Sequence, residues 1–370
     1  MRKSFVSLGF FALMALPVQA QDAVVPQLYL YDMTTQTVLE SQEANAPMYP
    51  ASMTKLMTLY LLFDRIKSGE ISMESEFTVS PEAWRKGGSK MFVRVNTLVP
   101  VEALIQGIAV QSGNDACIVV AEALAGSEEA FAELMNKKAK ELGLTESHFK
   151  NSTGWPDPEH VMSPHDLSVL AEALIRDFPE YYHYFAEREY TWSGITQPNR
   201  NPLLSGDMGV DGLKTGHTED AGYGITLSAK QNDRRLIAVL NGMDSQKTRA
   251  QMGRVVLLKG FTQYKPTQLF AEKKDVAELP VWYGSEDAVS VGLVEPLNIS
   301  LPVDSSRVSM RLEAKTPLQA PIEAGQEIGT LQILFDGKSV KQAPVTALQS
   351  VERAGFFKRL RLNLQSLSAS

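Results

Sequence analysis

The residues best equipped for chemistry fall in three short clusters: Ser52-Met53-Thr54-Lys55, then Ser112-Gly113-Asn114, then Lys214-Thr215-Gly216-His217. The first places a hydroxyl and an amine three positions apart, in a run (Met53, Leu56, Met57 and residues 59–62) whose apolar character predicts a buried helix. Positions i and i+3 share a helix face. A serine becomes a nucleophile only when a base takes its proton, and a desolvated lysine can be that base. Near the start of a helix, Ser52 would also lie beside backbone N–H groups that stabilise an anion. Chance alone supplies roughly one or two Ser-x-x-Lys matches in a chain of this length, and Ser147-His148-Phe149-Lys150 is a second. Taken singly, Ser-Gly-Asn is good turn and cap material and Lys-Thr-Gly an ordinary strand-edge turn. Specificity comes from their order behind Ser-x-x-Lys.

The elements that must position these clusters can be read from periodicity and punctuation. Gln27 to Asp32 and Thr37 to Glu40 read as a hairpin. The Ser52 helix should run to about Lys67, stopped by Ser68-Gly69. Further helices are predicted over residues 100–110, 115–124, 128–142 and 167–175, the last begun by Ser163-Pro164. Strands follow at 223–229 and 235–242, then a helix over 245–261. Strands at both ends with helices between them indicate an α+β domain on an antiparallel sheet. From about Tyr264 short alternating runs take over (279–283, 289–294, 297–303, 308–313, 328–335), with Asp336-Gly337 as a hairpin tip. The expected organisation is a domain over 21–264, a small all-β domain over 265–350 and a tail over 351–370.

Composition narrows the function classes. The 370 residues are 44% hydrophobic and 21% charged with net charge −7, which argues against a nucleic-acid binder. The single cysteine, Cys117, excludes an intrachain disulfide and a cysteine-based metal cluster. His160 and His165 lack the i, i+4 spacing of a zinc helix, and no metal or organic cofactor is implied. Residues 1–20 read as a cleaved export signal: Arg2 and Lys3, an apolar run, then Val18 and Ala20 ahead of the cut. In the tail, Phe356, Phe357, Leu360, Leu364 and Leu367 share one helical arc, with Lys358, Arg359 and Arg361 outside it. That pattern suits a helix lying in a membrane surface, too short to span it.

The three clusters together resemble the penicillin-binding family, and most closely its low-molecular-weight D-alanyl-D-alanine carboxypeptidases. The resemblance runs over essentially the whole chain, including Ser-Gly-Asn-Asp-Ala ahead of Cys117, Lys-Thr-Gly-His-Thr and Ala221-Gly222-Tyr223. Gly113 stands where the general motif has Asp, as is common in the carboxypeptidase branch. The resemblance implies a β-lactamase/transpeptidase-like fold and the following roles. Ser52 is the nucleophile and Lys55 its base, with Lys214 supplying a second cation that lowers the Lys55 pKa. Ser112 relays the proton to the leaving amine, and Asn114 holds Lys55 or the substrate amide. Lys214 and Thr215 bind the terminal carboxylate, and the N–H groups of Ser52 and His217 beside Gly216 form the oxyanion hole. Arg200 and Arg249 are further carboxylate or loop contacts. His148, Asn151, Gly154 and Trp155 are expected in a loop near the pocket, and Cys117 as a buried helix residue. The expected substrate is the peptidoglycan stem pentapeptide, with β-lactams as covalent inhibitors. The expected location is the periplasmic face of the bacterial inner membrane, reached through residues 351–370. A β-lactamase, a D,D-endopeptidase and a non-catalytic wall scaffold are the alternatives.

Overall fold

The computed structural model describes residues 25–271 and 275–360. Residues 1–20, expected to be an export signal, and residues 361–370 of the tail lie outside them.

Strands β1 (Gln27–Asp32) and β2 (Thr37–Gln42) form the predicted hairpin. A 3-10 turn, Ala51–Thr54, leads into helix α1 (Lys55–Lys67), so the Ser52 segment is a tight turn feeding a helix. The chain continues through β3 (Glu76–Thr78), α2 (Pro81–Arg85), β4 (Leu98–Pro100), α3 (Val101–Ala109), α4 (Asn114–Ala125), α5 (Glu128–Leu142) and α6 (Pro164–Asp177). After the hairpin β5 (Glu189–Trp192) and β6 (Ile195–Pro198) come β7 (Val210–Thr218), β8 (Gly222–Gln231), β9 (Arg234–Met243) and α7 (Gln246–Gln263). The main sheet is antiparallel throughout, in the order β2-β1-β9-β8-β7.

Local chemistry explains the boundaries. The Ser127, Ser163 and Ser245 hydroxyls accept from the backbone N–H three residues on, starting α5, α6 and α7. Gly143, at φ 76°, closes α5 in a conformation that costs glycine little. Helix α1 is buried from Lys55 through Phe63, as a helix apolar on all sides must be. One core packs α1, α3, α4, α5 and α6 against one face of the sheet, around Leu56, Phe63, Ile105, Ile118 and Leu170. A second covers the other face with α7 through Leu227, Leu240 and Leu257. Covered on both faces, β8 is buried continuously from Gly224 to Ala229.

The remaining chain is an all-β unit: β10 (Tyr264–Phe270), β11 (Asp275–Trp282), β12 (Ala288–Gly292), β13 (Leu297–Pro302), β14 (Val308–Ala314), β15 (Leu318–Gln319), β16 (Glu327–Phe335) and β17 (Lys338–Ala347). One ribbon pairs β10 with β13, and a six-stranded sheet runs β14-β16-β17-β12-β11-β15 around Val289, Ile299, Ile333 and Val345. A buried polar knot joins it to the main sheet. The fully buried Asp32 carboxylate takes Arg234 Nε at 2.7 Å and the Ser300 hydroxyl at 2.6 Å. Thr37 Oγ1 accepts from Ser300 N at 3.1 Å, and Lys341 reaches the Thr35 carbonyl. At the chain end residues 356–360 form a helical turn with Phe356 66% and Phe357 85% exposed. Among the described residues no helix is long and apolar enough to cross a membrane.

Candidate active site

The site forms where the 3-10 turn, the start of α4 and strand β7 converge. Lys55 Nζ donates to Ser52 Oγ at 2.7 Å and to the Thr153 carbonyl at 2.8 Å. Lys214 Nζ donates to Ser112 Oγ at 2.9 Å and to the Thr215 carbonyl at 3.3 Å. Both amines are buried, whereas Ser52 is partly exposed. Ser52, Ser112, Arg200, Thr215, Gly216, His217 and Arg249 line one open cavity of about 380 Å³, with Tyr223 and Gln246 in its wall. Asn114 lies at the edge of this assembly: its amide donates to the Gly87 carbonyl at 2.8 Å, and its own N–H to the Ser89 carbonyl at 2.7 Å.

The backbone is shaped to present these groups. Ala51 has φ 46° and Ser112 φ 60°, left-handed conformations that cost a side-chain-bearing residue of order 1–3 kcal/mol each. Ala51 directly precedes Ser52, and Ser112 carries the second hydroxyl. Two glycines hold the turn from outside. A Cβ on Gly154 (φ +78) would sit 1.7 Å from the Ala51 carbonyl oxygen. One on Gly216 would sit 2.7 Å from the Pro50 oxygen, so β7 lies directly against the turn. Gly113 has a similar explanation. Its Cβ would come within 2.9 Å of an Asp115 carboxylate oxygen, and that carboxylate already receives the N–H groups of Met91, Phe92 and Val93.

Electrostatics separate the two lysines. Burial lowers Lys55 from 10.5 to about 8, with Asp115 and Glu128 opposing and Lys86 assisting. Lys214 is held well below its ordinary value, first by burial, then by Lys55, Arg200 and Arg249. Desolvation rather than the Lys214 charge is the main cause of the depressed Lys55 value. Cys117, buried on α4 beside both amines, is pushed up to about 12 by burial and is a neutral thiol at working pH. Arg249 is buried with its guanidinium 5.6 Å from the Tyr223 ring, and its Nε has no partner. Arg200 is exposed and reaches Gln197 at 3.5 Å. The His217 ring is exposed and stacks on Tyr223 at 3.8 Å. The Asn151 side chain caps the turn beneath the site, accepting from the N–H of Thr153, Gly154 and Trp155. Trp155 and Gly154 border a neighbouring pocket with Ala51 and Thr218. His148 turns outward to the Glu159 carbonyl. The second Ser-x-x-Lys is spent on other contacts: Ser147 donates a hydrogen bond to Asp166, and Lys150 pairs with Glu159. Among the described residues no cluster of His, Cys, Asp or Glu could hold a metal ion.

A hydroxyl hydrogen-bonded to a buried, partly neutral amine, beside a cavity bordered by cations, defines a serine acyl-transfer site. Residues 15–245 match the family described as D-alanyl-D-alanine carboxypeptidase, and residues 264–353 match the penicillin-binding protein 5 C-terminal domain. The chain is 37% identical over 379 residues to D-alanyl-D-alanine carboxypeptidase DacD of Salmonella typhimurium, covering 97% of each chain. It is 36% identical to DacA of Escherichia coli K12, covering 91% of this chain and 87% of that one. Its fold superposes on penicillin binding protein 5 from Haemophilus influenzae with a TM-score of 0.74 at 34% identity, covering 91% of this chain and 100% of that one. The chain belongs to the D-alanyl-D-alanine carboxypeptidase family and has the penicillin-binding protein fold, a catalytic domain followed by an all-β C-terminal domain.

Proposed function

We infer that this protein is a serine D-alanyl-D-alanine carboxypeptidase that removes the terminal D-alanine from peptidoglycan stem peptides and is acylated by β-lactams. The observation that carries the reading is the 2.7 Å bond from Lys55 Nζ to Ser52 Oγ at the wall of a cavity lined by Arg200 and Arg249. In its neutral form Lys55 takes the Ser52 proton as Oγ attacks the carbonyl between the two D-alanines. The N–H groups of Ser52 and His217 receive the oxyanion, a term commonly worth several kcal/mol. Ser112, bonded to Lys214, passes a proton to the departing amine. Thr215, Lys214, Arg200 and Arg249 hold the terminal carboxylate, whose negative charge favours the protonated form of Lys214 that burial disfavours. Asn114 fixes the loop over the acyl side through Gly87. Water then attacks the ester, with Lys55 again as base, and frees the shortened peptide.

The proposed division of labour assigns catalysis to residues 21–264 and a supporting role to 265–350, with export directed by residues 1–20. Residues 351–370 attach the protein to the periplasmic face of the inner membrane. Supporting the attachment, Phe356, Phe357 and Leu360 are exposed at the end of the all-β unit. The test of the activity is release of free D-alanine from an N-acylated peptide ending in D-Ala-D-Ala. Release by the wild type and none by Ser52→Ala supports the reading; equal release by both overturns it.

A further inference from the structure

Beneath the site, one carboxylate gathers groups that the mechanism above leaves unused. Glu128 is the first residue of α5, and its side chain is 11% exposed. Its Oε1 accepts from Ser152 N at 3.0 Å and from the Ser152 hydroxyl at 2.8 Å. Its Oε2 faces Lys86 Nζ at 3.3 Å. The Ser152-Thr153 segment so held is bound on its opposite side by α1. The Thr58 hydroxyl donates to the Ser152 carbonyl at 2.6 Å, and Lys55 Nζ donates to the Thr153 carbonyl at 2.8 Å.

Lys86 extends the arrangement to the other wall. Its amine stands 5.4 Å from the Trp155 ring, and it directly precedes Gly87, whose carbonyl holds the Asn114 amide. One partly buried ion pair thus ties together the start of α5, the loop that carries Gly87 and the turn that carries Thr153. A lysine stem is flexible and loses considerable rotamer entropy when fixed. The Thr153 carbonyl aims the amine at Ser52 only while Ser152 stays in place.

We propose that Glu128, steadied by Lys86, is a positioning residue for Lys55, holding Ser152 so that the Thr153 carbonyl keeps the amine directed at Ser52. This rests on the reading of Lys55 as the base. The charged and titratable groups facing Lys55 are Asp115 and Cys117 from α4, Glu128 from α5, Lys86 from the loop before β4, His160 from the loop before α6 and Lys214 from β7. The negative charge of Glu128 raises the Lys55 pKa and the positive charge of Lys86 lowers it.

The experiment measures the second-order rate of acylation by penicillin, and kcat and KM for D-alanine release, across pH in the full chain and in Glu128→Gln, Glu128→Ala and Lys86→Met. Glutamine retains an acceptor for Ser152 without the charge, whereas alanine removes both. Displacing a catalytic group by about 1 Å can cost on the order of 100-fold. Glu128→Ala is therefore expected to lose at least tenfold in acylation and kcat with KM within about threefold. Glu128→Gln should recover most of that rate at high pH while its acidic limb moves to lower pH, and Lys86→Met should move the limb to higher pH. Thermal melts of all variants accompany the rates. Wild-type rates and an unshifted limb in both Glu128 variants, with or without a lowered melting temperature, overturn the proposal alone. A wild-type protein that penicillin does not acylate overturns the reading of Lys55 as base and the proposal with it.

Discussion

Lys55 and Ser52 are joined by a 2.7 Å hydrogen bond across one turn of backbone, and the lysine of the pair is fully buried while the serine is not. That asymmetry is what the chemistry requires. In the proposed roles, Lys55 as base must be desolvated to be neutral near working pH, and Ser52 as nucleophile must face the cavity.

The pair implies a defined pH dependence. Burial lowers Lys55 to about 8, and only the unprotonated amine can accept the serine proton. Acylation should therefore rise with pH through an acidic limb near that value. A stopped-flow pH profile with penicillin checks this, and a limb near the ordinary lysine value of about 10.4 would contradict it.

Lys55→Met should leave the fold intact and remove the proposed base. Loss of a general base typically costs 10²–10⁴-fold, and the rate of D-alanine release should fall within that range. A loss below about tenfold would assign the proton to another group.

Gly154→Ala should fail for a geometric reason. Its Cβ would lie 1.7 Å from the Ala51 oxygen in a φ +78 conformation, so the turn carrying Ser52 must move. The variant should acylate at least tenfold more slowly, since a shift of about 1 Å is enough, and should melt at a lower temperature. Unchanged acylation would show that the turn tolerates displacement.

The Asp32–Arg234–Ser300 knot predicts a stability effect away from the site. Breaking a buried ion pair by removing one partner costs about 3–5 kcal/mol. Asp32→Ala should lower the melting temperature by roughly 6 °C or more, taking about 2–4 °C per kcal/mol for a domain of this size. Calorimetry checks this, and a shift under about 2 °C would contradict the assignment.

Removing residues 356–370, which keeps the buried Val351 and the Arg353 bridge of the all-β unit, should leave D-alanine release from a soluble peptide unchanged within about twofold and, under the proposed attachment, move the protein from the membrane to the soluble fraction. Unchanged fractionation would rule out the tail as the anchor.

Much of this architecture was legible in the chain because its signals were local. Strand β1 and helix α5 begin and end where alternation, a serine cap and Gly143 place them. The polar, glycine-containing stretch over β7 did not read as a strand. It is one because Gly216 must let its backbone approach Pro50, a cause that lies elsewhere in the fold. Strand β17 was hidden by its polar alternation and Pro344. Within the site, Ser52, Lys55, Ser112 and Lys214 stood out by residue type and order. The Thr153 carbonyl and Glu128 did not. A backbone carbonyl carries no residue signature, and Glu128 meets Lys86 across 42 positions of chain.

Ser52 is proposed to form an acyl-enzyme with Lys55 as its base. Intact-protein mass after mixing with penicillin, for the wild type and Ser52→Ala, tests it most directly. One equivalent of drug mass is expected on the wild type and none on the variant. An adduct of equal extent on Ser52→Ala, or no adduct on the wild type, would contradict it.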